Sequence, residues 1–345
     1  MKYSIIVPVY NRPDEVDELL ASLCSQTLRD FEVVIVEDGS QKPCKDVCDK
    51  YASILDLHYY FKDNSGPGQS RNYGVERAHG EYVIILDSDV VLPEGFIQAV
   101  ETELQGNPVA AWGGPDASHP SFTPVQKAIS YSMTSFFTTG GIRGGKKKLD
   151  KFYPRSFNMG IRRDVYQQLG GFSKMRFGED IDFSYRIVEA GYQPRLFPDA
   201  WVWHKRRTDF RKFFRQVYNS GIARINLEKR HPGTLKLVHL LPMVFTVGVI
   251  ALILCSAVGR ALMHYDDVHR WYWLCAAPWL PILFYSLVIC VDSTLLNKSV
   301  KVGLLSVPAA FVQLMGYGFG FIESWWKRCV LKQDEFTAFE KNFYQ

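Results

Sequence analysis

Several patterns that would assign a class at once are missing from this chain. Its 345 residues include seven cysteines, of which only Cys44 and Cys48 are closely spaced. With no second pair, neither a zinc site nor a disulfide framework is indicated. The first strand-like segment begins at Lys2 without a cationic and then apolar leader, so we expect no cleaved signal peptide. A reducing, cytosolic environment is therefore expected for residues 1–230.

Two well-known nucleotide-binding motifs are also absent. No G-x-G-x-x-G follows the first strand-like segment, which excludes the Rossmann dinucleotide fingerprint, and the chain contains no P-loop. The formal net charge of +4 is small, but the charges are unevenly distributed along the chain. Their distribution therefore says more about partners than their total.

Long uncharged runs are present only in the C-terminal third. Residues 237–258, 271–291 and 302–322 contain no formal charge. Each run is long enough to cross about 30 Å of hydrocarbon. Tryptophans open the second run and follow the third, as in interfacial aromatic belts. The alternative is a buried helical hairpin in a soluble protein, but three such runs favour a transmembrane region over 237–322.

A basic segment precedes these runs. Ten Lys and Arg residues lie between Lys205 and Lys236, against two acidic residues. No nucleic-acid module accompanies them, so a helix on an anionic cytoplasmic leaflet is favoured over nucleic acid as the partner. The apolar side chains within it predict a face buried in the membrane interface. They are Phe210, Phe213, Phe214 and Val217.

These features predict four parts: a catalytic domain over 1–205, a basic interfacial helix or linker over 206–236, the transmembrane region, and a tail over 323–345. The positive-inside tendency places the first part in the cytoplasm. Three full spans would put the tail outside, although it carries Lys327, Arg328 and Lys332. The sequence leaves open whether one run is re-entrant or lies along the interface.

Strand-like and helix-like segments alternate through the first 90 residues. The strand-like segments are 2–9, 31–36, 57–61 and 82–86. This alternation predicts an α/β domain with a mostly parallel sheet and helices on both faces. Ligands of such sheets sit at the carboxyl ends of the strands, where Asn11, Asp38 and Asp87 are found.

Asp87-Ser88-Asp89 follows the apolar run Tyr82–Leu86. Residues i and i+2 of a strand point to the same side, so the two carboxylates are expected to converge. Hard oxygen ligands at such an edge suit Mg²⁺ or Mn²⁺ carried by a diphosphate. The alternative is a solvated turn, because Asp is common there.

Two further segments are candidates for binding a nucleotide. Asp38 can accept a hydrogen bond from a base or a ribose hydroxyl, although it could also simply form the turn before Gly39. Residues 66–72 combine glycines with Arg71 at a predicted helix start, which favours phosphate binding.

An acidic helix start over 178–186 supplies a candidate general base. Asp180 lies near the predicted helix N-terminus, where a carboxylate is stabilised as the anion. Such a group suits removal of a proton from a hydroxyl acceptor. Glu179, Asp182 and Arg186 share a different helical face. The alternative reading of Asp180 is simple N-capping.

Taken together, these motifs resemble the family 2 glycosyltransferases, inverting enzymes of GT-A (Rossmann-like) fold, from residue 1 to about 205. The resemblance implies that Pro8 and Asn11 line the nucleotide pocket and that Asp38 contacts the base. It further implies roles for three groups: Arg71 and Asp87 hold the nucleotide sugar, Asp89 with Asp87 binds Mg²⁺ or Mn²⁺, and Asp180 is the base with Glu179 beside it.

Two comparisons with that family refine the expectation. The Gln-x-x-Arg-Trp segment of processive synthases is absent between Asp182 and the first run, so transfer of one sugar per encounter is expected. Trp203-His204, followed by a basic helix and terminal spans, resembles a bacterial subgroup that builds exopolysaccharide or capsule repeat units on lipid carriers. His204 is either a further group near the metal or diphosphate, or a structural histidine.

The expected function is therefore inverting transfer of a sugar to a hydroxyl of a lipid-linked saccharide at the inner (cytoplasmic) membrane. One alternative is a polyprenyl-phosphate glycosyltransferase, whose acceptor is the lipid phosphate and which should tolerate loss of Asp180 better. The other is a non-catalytic membrane protein that binds a nucleotide sugar.

Overall fold

The computed structural model describes residues 1–117, 119, 121–139, 152–262 and 275–339. These residues divide into two compact units. Residues 1–117, 119 and 152–205 form the first unit, and residues 121–139 and 206–339 form the second. A short internal segment thus belongs to the same unit as the C-terminal helices.

The first unit is built on a seven-stranded sheet. Its strands, together with those of a small three-stranded sheet, are β1 (Tyr3–Val9), β2 (Phe31–Asp38), β3 (Leu57–Lys62), β4 (Tyr82–Leu86), β5 (Val90–Val91), β6 (Ala111–Gly113), β7 (Asp116–Ala117), β8 (Asn158–Arg162), β9 (Arg195–Leu196) and β10 (Val202–His204). The order of the large sheet is β3-β2-β1-β4-β8-β6-β9.

The sheet is mostly parallel, as the sequence predicts. β1 pairs in parallel with β2 and β4, and β2 pairs in parallel with β3. β8 is antiparallel to both β4 and β6. β8 is far from β4 in the sequence, so its position between β4 and β6 is not evident from local sequence.

Helices cover the large sheet and also form the second unit. They are α1 (Pro13–Cys24), α2 (Lys45–Tyr51), α3 (Pro67–Val75), α4 (Phe96–Gly106), α5 (Pro124–Thr134), α6 (Phe136–Thr139), α7 (Arg163–Gln168), α8 (Glu179–Glu189), α9 (Phe210–Arg230), α10 (Leu241–Leu262), α11 (Leu280–Asn297) and α12 (Val300–Trp325).

Two hydrophobic cores lie on opposite faces of the large sheet. Ile5 and Val7 of β1 pack in the core that includes α1 and α4. Ile6, between them, packs in the core that includes side chains from α3, α7 and α8. The alternation of side chains along a strand produces this division. Burial on both faces explains why the central strands are almost continuously apolar.

In the second unit, α12 is the central helix. It contacts α5, α9, α10 and α11. Among the described residues, three helices are long and apolar enough to cross a membrane: Leu237–Leu262, Ala277–Asn297 and Val300–Val330. The prediction of three long apolar helices is confirmed. Residues 271–274 of the predicted second run lie outside the described residues, as do residues 263–270 and 340–345.

The apolar face of α9 requires a correction. The sequence assigned it to the membrane interface, but Phe213 and Val217 are buried within the protein. They pack against Ile129 and Met133 of α5, with Val312 of α12 beside them. Residues 121–139 cover this face, and no local pattern in the sequence places that segment in the helical unit.

Candidate active site

Asn11 joins the loops that follow β1 and β2. Its backbone N–H donates to Ser40 Oγ at 2.7 Å, and its side-chain oxygen accepts from the N–H groups of Gln41 and Lys42. Its φ of 56° lies in the left-handed region, which Asn tolerates better than most residues. Pro8, three residues earlier, lies in β1 opposite Val36. Both predicted pocket residues are therefore at or next to the carboxyl end of β1.

Asp38 holds the loop before α3. Its two carboxylate oxygens accept from the N–H groups of Ser65 and Gly66, each at 2.9 Å, and it pairs with Lys62. Gly66 has a φ of 91°, which an L-residue adopts only with strain. Asp38 thus shapes the glycine-rich loop, while its contact with a base stays a prediction.

Arg71 connects two carboxylates across the site. Its guanidinium lies 2.7 Å from Asp87 and 3.0 Å from Glu179, and it stacks over the ring of Phe172. Burial disfavours its charge, but the two carboxylates outweigh that effect and raise the pKa of Arg71. The guanidinium therefore ties the end of β4 to the start of α8 rather than standing open to a phosphate.

Asp87, Asp89 and His204 form a cluster whose ligand atoms all lie within 4.8 Å of one another. His204 Nε2 is 3.2 Å from Asp89 Oδ1, and the imidazole stacks on Phe157. β4 ends at Leu86, so the carboxylates converge through the turn that follows rather than through strand alternation. Pairing of β10 with β5 brings His204 opposite Val90 and thus beside Asp89.

This cluster fits a divalent cation. The two carboxylates supply the hard oxygen ligands that Mg²⁺ and Mn²⁺ prefer, and the imidazole adds one nitrogen ligand. Three protein ligands leave positions for phosphate oxygens and water. His204 Nδ1 also lies 3.8 Å from Asp116, so the two ring nitrogens face different carboxylates.

Three charged residues of the site were missed from the sequence. Arg12 lies 3.1 Å from Asp89, and its place directly after Asn11 was the available signal. Asp116 lies near His204, and Arg155 lies near Asp180. No local pattern marks Asp116 or Arg155, because the fold alone brings them to the site.

The start of α8 places its two acidic residues in different surroundings. Asp180 Oδ2 lies 3.0 Å from Arg155 Nε, and its other oxygen accepts from Ile181 N–H. Glu179 is buried against Arg71; burial raises the pKa of Glu179, and the Arg71 cation opposes that rise. Asp182 pairs with Arg186 along the helix. Asp180 thus has a cation of its own, Arg155, while its negative charge also contributes to the raised pKa of Glu179.

The sequence of the first unit matches a known family. Residues 4–170 match the family model described as "Glycosyl transferase family 2". Residues 4–170 therefore form a family 2 glycosyltransferase domain. The predicted family is thereby confirmed, whereas the exopolysaccharide and capsule subgroup stays a prediction.

Curated relatives in this family come from bacteria and archaea. The pre-mycofactocin glycosyltransferase of Mycobacterium tuberculosis is 26% identical over 282 residues, which cover 75% of this chain and 53% of the relative. The glycosyltransferase AglE of Haloferax volcanii is 24% identical over 250 residues, covering 71% of this chain and 80% of the relative. The chain thus spans only about half of the mycobacterial protein.

A solved structure supports the GT-A fold. A mannosyltransferase from Pyrobaculum calidifontis, determined in complex with GDP-Man and Mn²⁺, superposes with a TM-score of 0.62 at 17% identity. The match covers 95% of this chain and 88% of that one. At this identity the likeness concerns the fold, which agrees with the predicted GT-A domain followed by apolar helices.

Proposed function

We propose that this protein transfers a sugar from a nucleoside-diphosphate sugar to an acceptor with inversion at the anomeric carbon. One observation carries the proposal. The Asp87, Asp89 and His204 cluster and the acidic start of α8 belong to one site, connected by Arg71 through its bonds to Asp87 and Glu179.

The donor half of the site is the edge formed by the loops after β1, β2 and β4. Pro8, Asn11 and Asp38 line the nucleotide pocket, and Asp87, Asp89 and His204 hold the cation. A bound Mg²⁺ or Mn²⁺ offsets negative charge that develops on the leaving diphosphate. Arg12 lies beside Asp89 and adds a fixed positive charge to the same edge.

The acceptor half is the start of α8. Asp180 accepts the proton of the acceptor hydroxyl as the new bond forms at the anomeric carbon and the bond to the diphosphate breaks. One base opposite the leaving group gives a single displacement and therefore inversion. Glu179 positions α8 through Arg71 and does not take the proton.

The acceptor that we propose is a lipid-linked saccharide in cell-surface polysaccharide biosynthesis. Three helices long and apolar enough to span a bilayer support a membrane location. The basic segment that precedes them favours the inner membrane with the first unit in the cytoplasm, by the positive-inside tendency.

Donor binding and product analysis test the proposal. Calorimetry on the full chain in detergent, with Mn²⁺ and UDP-, GDP- and dTDP-sugars in turn, should identify one donor class. NMR of the product should then show the anomeric configuration opposite to that of the donor. Retention of configuration would overturn the single displacement, and binding without transfer or donor hydrolysis would favour a non-catalytic nucleotide-sugar-binding protein.

A second acceptor class has specific support. Arg155 lies 3.0 Å from Asp180 and supplies a cation where the acceptor is expected, which suits the phosphate of a polyprenyl-phosphate acceptor. In that case Arg155→Gln should abolish transfer to the lipid phosphate, and Asp180→Asn should be tolerated. For a hydroxyl acceptor, Asp180→Asn should lose more transfer activity than Arg155→Gln.

A further inference from the structure

The chain after α12 folds back onto α9. Ala338 and Asn219 exchange two hydrogen bonds, at 2.9 Å from Ala338 N–H and at 3.2 Å to the Ala338 carbonyl. Glu335 pairs with Arg230 at 2.8 Å. The ring of Phe339 packs edge-on against Tyr218. Polar and ring contacts therefore hold residues 335–339 against residues 218–230 of α9.

α9 itself cannot cross a bilayer. It is 21 residues long, and exposed cations stand near both of its ends, Arg211 and Lys212 at one and Lys229 and Arg230 at the other. Two further cations, Arg215 and Arg224, lie between them, at positions that would reach hydrocarbon depth in a spanning helix. Charges at hydrocarbon depth are costly, so the whole helix stays on the side of the membrane where it begins.

α10 and α11 behave as a pair. Trp279, at the start of the second apolar segment, donates from Nε1 to Ser256 Oγ of α10 at 2.8 Å, and Phe245 packs against Tyr285. From Ser256 back to Phe245 along α10, the contact partner moves forward along the second segment, from Trp279 to Tyr285, as in an antiparallel hairpin. Only 11% of the most apolar window of either segment is buried in the protein. Both helices therefore need lipid along most of their length.

α12 differs from them in what covers it. Of its most apolar window, 44% is buried. It follows α9 from Val312 beside Phe213 to Ser324, which donates to the Ile222 carbonyl. Just beyond α12, Arg328 donates to Asn226 at 3.1 Å. The helix thus runs beside a charged partner that stays on one side of the membrane.

The number of membrane crossings between α9 and the tail follows from these contacts. The tail is bound to α9, so the chain must cross the bilayer an even number of times between them. α10 and α11 cross together, which leaves no crossing for α12. We propose that only α10 and α11 span the membrane, and that α12 lies along α9 with the tail on the side of the first unit. This inference is independent of the proposed transfer reaction.

The arrangement also agrees with the distribution of charge. Three Lys and Arg residues of the tail, Lys327, Arg328 and Lys332, join the basic residues of α9 on one side. The α11–α12 connection adds Lys298 and Lys301 to that side. The positive-inside tendency, which three crossings would violate at the tail, is thereby satisfied.

Labelling of single cysteines in the full chain tests this topology. Cys44 and Cys48 are buried and can remain, while the other native cysteines are replaced by serine. Three exposed positions then report one at a time: native Cys329, Ser53→Cys in the first unit, and Arg260→Cys near the end of α10. A membrane-impermeant maleimide is applied to intact cells and to inverted vesicles.

We expect Cys329 and Ser53→Cys to react only in inverted vesicles, and Arg260→Cys only in intact cells. Reaction of Cys329 from the same side as Arg260→Cys would establish three crossings and overturn the proposal. If all three cysteines reacted from the same side, α10 and α11 would not span the membrane, and the proposal would also be wrong. A C-terminal fluorescent-protein fusion of the unmutated chain checks the result, because fluorescence requires a cytoplasmic tail.

Discussion

Arg71 and Glu179 are 108 residues apart in the sequence and share a 3.0 Å hydrogen bond, with neither side chain more than 10% exposed. The same guanidinium bonds to Asp87. One buried cation therefore fixes both the donor-side carboxylate and the helix that carries Asp180. In the proposed function, this residue joins the donor and acceptor halves of the site.

Replacing Arg71 by methionine should destabilise the protein. Buried Glu179 and partly exposed Asp87 would lose their cation. Removing one partner of a buried pair costs about 3–5 kcal/mol. Equilibrium unfolding in detergent, followed by tryptophan fluorescence, measures the change. Arg77→Met is the matched control, because Arg77 is one-third exposed and its ion-pair partner is largely exposed; it should cost about 1 kcal/mol or less. Equal effects of the two changes would contradict a buried bridge at Arg71.

Asp89→Asn should abolish Mn²⁺-dependent donor binding, since it removes a carboxylate ligand from a set of three. Calorimetry measures nucleotide binding, and electron paramagnetic resonance measures Mn²⁺ binding. Both detect the loss without measuring turnover. Asp116→Asn serves for comparison, because Asp116 lies near His204 but outside the ligand cluster. Because 3.8 Å is longer than a hydrogen bond, this change should weaken Mn²⁺ binding by less than the roughly 10-fold lower limit for losing a hydrogen-bonded outer-shell group. Unchanged Mn²⁺ affinity in Asp89→Asn would show that Asp87, Asp89 and His204 do not bind the cation.

Much of the proposed donor site could be located from local sequence, because its residues directly follow strands. Asn11, Asp38 and Asp87 reach one edge through the parallel order of the sheet alone. The roles of Asp38 and Arg71 could not be predicted in the same way. Asp38 bonds to a loop 27 and 28 residues away and Arg71 to a helix 108 residues away, and only the fold fixes such pairings.

The helical unit was predictable in part for a related reason. Hydropathy identifies α10, α11 and α12, since their composition alone requires lipid or burial. Hydropathy cannot identify the helices against which they pack. α5 is an ordinary amphipathic helix in sequence, and its packing against α9 and α12 depends on shape complementarity at Ile129 and Ala128.

Acidification should reveal a contribution of Glu32 to stability. Burial pushes its pKa upward, but hydrogen bonds from Ser4 and His79 outweigh that effect and lower the pKa below its usual value. His58 also lies 3.5 Å away. The stabilisation is therefore complete above the usual pKa of about 4.3 and is lost as the pH falls through the lower, folded value. Thermal unfolding between pH 7 and pH 3 should show the gap between wild type and Glu32→Gln narrowing. A constant gap would contradict the lowered pKa.

The α9–α12 contact should depend on Gly320. A Cβ there would overlap the backbone carbonyl of Tyr218, which cannot move as a flexible side chain could. Gly320→Ala should therefore lower the melting temperature in detergent, with a cost of about 1–3 kcal/mol typical of overpacking. Gly248→Ala in α10 is the control, because a Cβ at that position meets nothing within 4 Å. An equal response of the two variants would show that α9 and α12 do not pack this closely.

Asp180→Asn tests the base directly. Asparagine keeps the size of the side chain and accepts a hydrogen bond, but it cannot take the acceptor proton. Turnover should fall about 10²–10⁴-fold, the range for losing a general base, while donor affinity measured by calorimetry stays near that of wild type. Glu179→Gln should reduce turnover less, because that residue positions α8 through Arg71. If Glu179→Gln were inactive and Asp180→Asn normal, the base would be the neighbouring carboxylate. A different result would favour the lipid-phosphate acceptor over the hydroxyl acceptor. In that case Asp180→Asn and Glu179→Gln would both remain active on a polyprenyl phosphate, and Arg155→Gln would be inactive.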